Sequence, residues 1–80
     1  MKKEIFETIK EILVTSEGID SESITLDSSF EELNMDSLSG LVLIDELEEK
    51  YEIKISNEEV FSIKSIHDAI IKIEELLTAK

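Results

Sequence analysis

The chain has 80 residues, of which 41% are hydrophobic and 35% charged, and a formal net charge of -12. That length bounds it to one domain, residues 1–80, with a small core, and the apolar share is too high for a disordered acidic tail. The charge excludes nucleic acid as a partner, because phosphate backbones select Lys and Arg, and it disfavours anionic membrane surfaces; proteins with basic docking patches are the expected partners.

Ile5, Ile9, Ile12, Leu13 and Ser16, with Phe6 beside them, recur at helical spacing over residues 3–16, with Glu4, Glu7, Lys10 and Glu11 on the other side. Gly18 is placed to stop this helix. Residues 17–36 keep no single period: isolated Ile19, Ile24, Leu26, Phe30 and Leu33 stand among Ser, Asp, Glu and Thr. This predicts a long polar loop with buried anchors, of a length that is often functional. Ser28 to Leu33 suits a short helical turn within it.

Asp36 is the expected N-cap of a second helix, residues 37–51. A rotation of about 100° per residue gathers Leu43, Ile44, Leu47 and Tyr51 into one sector, with Gly40 among them. Asp45, Glu46, Glu48 and Glu49 fall largely outside that sector, and Leu38, Leu41 and Val42 lie toward the outer side. Ile53-Lys54-Ile55 alternates but is too brief for a sheet. Ser56-Asn57-Glu58-Glu59 is a capping box that opens a short helix through Val60 and Phe61, and Ser65-Ile66-His67-Asp68 is a similar, weaker start. From there Ile66, Ala69, Ile70, Ile73, Leu76 and Leu77 make an apolar stripe. The expected fold is all-α: a small four-helix bundle, three long helices and one short, with a long loop between the first two.

Charge is concentrated in the middle of the chain. Residues 27–59 hold eleven acids against two lysines, whereas residues 60–80 balance at three and three. The acidic middle is either a solvated face or a docking surface. Without Cys there is no disulfide and no thiolate nucleophile or ligand, which fits a reducing compartment. No apolar run is long enough to span a bilayer, so membrane insertion is not expected. Met1-Lys2-Lys3-Glu4 lacks the apolar centre of a signal peptide, and a cytoplasmic protein is expected.

Neither a catalytic nor a metal site is expected. The single His67 has no partner set for nucleophilic or acid–base work and is read as a surface residue. Asp27 to Glu32 lacks the central Gly of a calcium loop. What remains is Asn34-Met35-Asp36-Ser37-Leu38, with a Ser in the first turn of a helix. On that local pattern alone its ordinary role is to cap the helix, and the chain would be an acidic helical adaptor with no prosthetic group.

The wider context resembles the acyl carrier protein family. Phe30-Glu31-Glu32-Leu33-Asn34-Met35-Asp36-Ser37-Leu38 is similar to that family's Phe-x-x-Leu-Gly-x-Asp-Ser-Leu segment. Leu47-Glu48-Glu49-Lys50-Tyr51-Glu52-Ile53-Lys54-Ile55 is similar to its Leu-Glu-Glu-x-Phe-x-Ile-x-Ile run, and the spacing between the two also fits. The resemblance implies a non-catalytic carrier with 4'-phosphopantetheine attached covalently to Ser37, holding acyl or biosynthetic intermediates as thioesters in fatty acid, polyketide or specialised lipid biosynthesis. A peptidyl or aminoacyl carrier is the alternative within related bundles. Implied partners are a phosphopantetheinyl transferase, which supplies the base and the metal ion for loading, and acyl-loading, synthase and acyl-transfer enzymes. A monomer is expected.

Three departures from the family pattern bear on this reading. Asn34 replaces the usual Gly at a position expected to need a left-handed backbone, which Asn tolerates next best. Ser39 and Val42 stand where fatty-acid carriers commonly have acids, and Asp45 where they often have Met, so negative charge is moved about a turn along the helix. The docking surface implied for partners is Asp36, Leu38, Leu41, Val42, Asp45, Glu46 and Glu49, although Val42 could equally pack beneath the long loop. Gly40, one turn from Ser37 in the inward sector, is expected either to widen the space where an acyl chain enters or to allow a close contact.

Self-repulsion among so many acids makes the fold salt-sensitive. Raising the ionic strength toward 1 M, where the Debye length is about 3 Å, or adding divalent cations, is expected to raise the melting temperature followed by circular dichroism.

Overall fold

The computed structural model describes residues 2–79, and at Ser37 the backbone alone. Four helices follow in order: α1 (Lys2–Glu17), α2 (Ser37–Tyr51), α3 (Asn57–Ser62) and α4 (Ile66–Thr78), with a single 3₁₀ turn at Ser21–Ser23. The bundle expected from the apolar stripes is the one observed, with the six-residue α3 as the short member.

Several helix ends have a local chemical cause. Gly18, at φ 66°, turns the chain out of α1, and the Ile19 N–H closes that end on the Leu13 carbonyl at 3.2 Å. Ser56 and Ser65 accept the Glu59 and Asp68 N–H groups at the heads of α3 and α4, at 3.2 and 3.1 Å. The end of α2 carried no sequence signal. It is made by Glu52 in the left-handed region, φ 54°, which lets the Ile53 N–H reach back to the Glu48 carbonyl at 3.0 Å.

α1 packs against both α2 and α4. The core is Ile5, Ile9 and Leu13 from α1, Leu43, Ile44 and Leu47 from α2, and Ile66, Ala69, Ile70 and Ile73 from α4. Ile53, Ile55 and Ile63 close it between the later helices, and Lys54 points outward as the alternation requires. Ser16 is exposed, although its spacing groups it with the apolar positions of α1. Its hydroxyl meets the Glu46 carboxylate of α2 at 3.2 Å, a contact that suits a polar group at the margin of the interface. Leu76, Leu77 and Tyr51 are half-buried at the periphery.

In the long loop Ile24 and Leu33 are buried anchors, and Ile19 and Phe30 pack half-buried against the core. Leu26 is not an anchor: it lies at the tip of a turn and is half exposed. The turn expected at Ser28–Leu33 is present, with the Leu33 N–H on the Ser29 carbonyl at 3.2 Å. Ser28, given no role by the sequence, is the buried polar hub of this segment. Its Oγ accepts the Thr25 N–H and donates to the Ser23 carbonyl, both at 3.0 Å, and it also meets the Thr25 hydroxyl. Its carbonyl accepts the Ile66 N–H, and the Phe30 N–H reaches the Lys64 carbonyl, each at 3.0 Å. This isolated antiparallel bridge, Ser29 to Ser65, ties the loop to the head of α4.

Replacing Ser28 with Ala removes the hub and leaves its partners unsatisfied. The expected cost is about 1–2 kcal/mol, a drop of very roughly 5–15 °C in melting temperature for a chain of this size, measured by thermal denaturation.

Candidate functional site

The site assembles where the long loop delivers the chain to the head of α2. The turn at 30–34 ends on Asn34 at φ 60°, the left-handed backbone expected there, and the Met35 N–H closes it on the Phe30 carbonyl at 3.0 Å. Leu33 is buried beneath this turn, so the loop's exit is fixed by one apolar anchor and one backbone reversal. Asp36 then takes an extended conformation, and its carboxylate accepts the Ser39 N–H at 2.9 Å as the N-cap of α2. That bond is the main cause holding the Asp36 carboxyl below the ordinary carboxylate range. The Gly40 N–H makes the first helical bond to the Asp36 carbonyl at 3.0 Å. Ser37 is the first residue of α2; its side chain, and with it the role expected of its hydroxyl, lies outside what is described.

Beside the head of α2 is a cleft of about 730 Å³. Phe30 and Met35 line it from the loop, Gly40, Leu41 and Ile44 from α2, and Val60 and Phe61 from α3. Asp36 is part of its lining, so the cleft reaches the cap of α2. A Cβ built on Gly40 meets nothing within 4 Å. The missing side chain therefore leaves open space in the cleft wall, and the alternative of a close contact at Gly40 does not hold.

The outer face of α2 is as the helical geometry implied. Leu38 is 72% exposed, and Leu41 and Val42 are each 43% exposed. Val42 therefore does not pack beneath the loop. Asp36, Asp45 and Glu49 are also exposed, while Glu46 is half-buried where it accepts the Ser16 hydroxyl. Glu48 is not simply a solvated acid: its carboxylate accepts the Ile55 N–H at 2.7 Å, pinning the segment between α2 and α3. His67 is exposed.

The sequence also gave no reason to single out Phe61, which is 81% exposed on α3 and lines the cleft. The capping box announced α3, but a helix of six residues is too short to show a stripe that would tell its inner face from its outer one.

A large apolar cleft opening beside the capped head of a helix suits a long, flexible group tethered at that head. The comparisons with known proteins agree. The sequence matches the phosphopantetheine attachment site family over residues 7–71. The chain belongs to the acyl carrier protein family. It is 39% identical over 70 residues to the acyl carrier protein of Aster yellows witches'-broom phytoplasma, covering 86% of this chain and 92% of that one. It is 36% identical over 77 residues to the acyl carrier protein of Petrotoga mobilis, covering 95% and 91%. The crystal structure of an acyl carrier protein from Thermotoga maritima superposes with a TM-score of 0.90 at 26% identity, over 98% of this chain and 92% of that one.

As an acyl carrier, the chain holds acyl groups on a covalently attached 4'-phosphopantetheine. When bound, that group supplies a terminal thiol on a flexible arm, to which cargo is joined as a thioester. This accounts for a carrier with no Cys of its own. Proteins of this family work with phosphopantetheinyl transferases and synthase enzymes. No helix among the described residues is long and apolar enough to cross a membrane.

The Asp36 cap carries a pH signature. Its pKa is lowered in the folded state, so its contribution to stability is present above the unfolded-state value and is lost as pH falls through the folded one. The stability advantage of the native chain over Asp36→Ala should therefore be largest near neutral pH and shrink on acidification. The advantage over Asp36→Asn, which keeps a capping oxygen, should be smaller at neutral pH but shrink in the same way, while the difference between the Asn and Ala variants should not vary with pH. Urea denaturation across pH 2.5–7 checks both.

Proposed function

We propose that Ser37 is the attachment point of the phosphopantetheine arm, and that the outer face of α2 is where partner enzymes dock. The observation that carries this reading is the position of residue 37: first residue of α2, directly after Asp36, which caps the helix and lines the cleft. In the attachment reaction the Ser hydroxyl displaces the phosphoadenosine part of coenzyme A and becomes a phosphodiester. The carrier contributes only the presented hydroxyl, while the transferase and its metal ion supply the base and the charge stabilisation. The chain itself performs no catalysis.

The residues around that position divide the remaining work. Asp36 fixes the start of α2 and is itself exposed, which suits recognition by the transferase. Leu38, Leu41 and Val42 form an exposed apolar strip, and Asp45, Glu46 and Glu49 follow on the same helix. An apolar strip with an acidic rim fits an enzyme surface of the converse kind, an apolar patch rimmed by Lys and Arg. Glu46, shared with Ser16, is the least available of the acids. Gly40 leaves room in the cleft wall for the cargo to lie out of water beside Phe30, Ile44 and Val60.

Ser39 and Val42 remove negative charge from the first turns of α2 and Asp45 restores it further along. This supports dedicated partners in a polyketide or specialised lipid pathway over those of housekeeping fatty acid synthesis. A monomeric, cytoplasmic carrier fits the acidic, Cys-free composition.

Incubation with coenzyme A, magnesium and a broad-specificity phosphopantetheinyl transferase should add the mass of one phosphopantetheine group, read by intact mass spectrometry. Ser37→Ala should stay unmodified; an unmodified native chain would overturn the attachment reading. Val42→Asp should keep full helicity by circular dichroism while changing turnover by partner enzymes several-fold, the scale on which rim and strip charges act.

A further inference from the structure

α3 forms part of the cleft wall yet has little to hold it. It has six residues, none of them buried, and is too short to be stable by itself. Of its side chains, Val60 alone packs half-buried against the core. The chain is pinned just before α3, where the Ile55 N–H meets Glu48, and just after it, where Ile63 is buried. Between these two points α3 hangs as a strap along the cleft.

A polar cross-link spans the strap and the bundle. Lys72 on α4 places its Nζ 3.2 Å from Glu59 Oε2 on α3. The lysine is pre-positioned from its own helix by Glu75, at 3.5 Å. The other oxygen of Glu59, Oε1, accepts the Ser56 hydroxyl at 3.1 Å, so the carboxylate joins the N-terminal cap of α3 to α4. The lysine side chain is 24% exposed and that of Glu59 38%, so the pair is partly shielded at its lysine end and still open to salt. The Glu59 contact raises the Lys72 pKa, with partial burial opposing it, and the ammonium is charged at any working pH.

We propose that the Glu59–Lys72 ion pair is the tether that sets the position of α3, and with it the width of the cargo cleft. Lys72 is in this sense a positioning residue: it does not line the cleft, and acts through the helix that carries Val60 and Phe61. Because the tether is ionic, salt opposes it, while the same salt relieves the self-repulsion of the acidic chain as a whole. The consequence for cargo rests on the carrier reading above; the tether itself does not.

The test is residue-resolved amide exchange by NMR on the full unloaded chain, comparing the native protein with Lys72→Met, Glu59→Gln and the double variant. The two single changes move the net charge in opposite directions, so a general electrostatic effect would have opposite signs in them. The tether instead predicts that both speed exchange of residues 57–62 by about two- to fivefold, with Ile9 and Leu13 in α1 unaffected. The double variant should be no faster than either single one, Lys72→Arg should restore protection, and the gap between native and Lys72→Met should narrow in high salt. Unchanged exchange in α3, equal acceleration in every helix, or additive effects in the double variant would each overturn the proposal. A second arm loads the native and Lys72→Met chains with a medium-length acyl group and follows its hydrolytic loss by intact mass, expected to be faster in the variant. Equal loss from both chains would remove the link to cleft width. Failure of the native chain to load at all would instead strike the attachment at Ser37 and leave the exchange result standing.

Discussion

The two backbone hydrogen bonds between the long loop and the start of α4, Ile66 N–H to Ser28 and Phe30 N–H to Lys64, decide where everything else stands. A loop of nearly twenty residues has many conformations to lose, and its few buried anchors do not select one by themselves. The short bridge does so by giving the loop a partner far away in the sequence. Ser28 reinforces it from inside, by satisfying the Thr25 N–H and the Ser23 carbonyl where the chain passes close to the core. With the loop held, the turn at Asn34 delivers Asp36 to the head of α2 in the extended conformation that a cap requires.

The same arrangement separates two jobs on one helix. The inner face of α2, Leu43, Ile44 and Leu47, belongs to the core, and the outer face, Leu38, Leu41 and Val42, is left to solvent. Gly40 falls between them, beside the cleft, and contributes open space rather than contact. A carrier needs this division. On the proposed reading, cargo kept out of water lies on one side of α2, while enzymes that collect it approach from another. The strong negative charge weakens the fold that carries it, which leaves stability to a compact Ile-rich core and to helix caps.

α3 is where that economy is most visible. A longer helix with its own buried stripe would close the cleft permanently, whereas a short helix with one half-buried anchor and one ion pair can yield. The cation responsible, Lys72, comes from residues 60–80, the stretch in which acids and lysines balance.

Much of this protein was determined by its linear sequence. Apolar residues at intervals of three and four oblige amphipathic helices to find one another, so the bundle was legible, as were the caps at Asp36, Ser56 and Ser65 and the left-handed Asn34, because each depends on neighbours a few residues away. The family likeness too was carried by two contiguous segments, residues 30–38 and 47–55. The tertiary structure alone decided what depends on partners distant along the chain. Ser28 became a buried hub, Glu48 turned from a solvated acid into an acceptor for Ile55, Leu26 was left outside, and Phe61 came to stand at a cleft formed by the loop, α2 and α3 together. Periodicity reports which face of a helix is apolar; it carries no information about which other segment, if any, arrives to cover it.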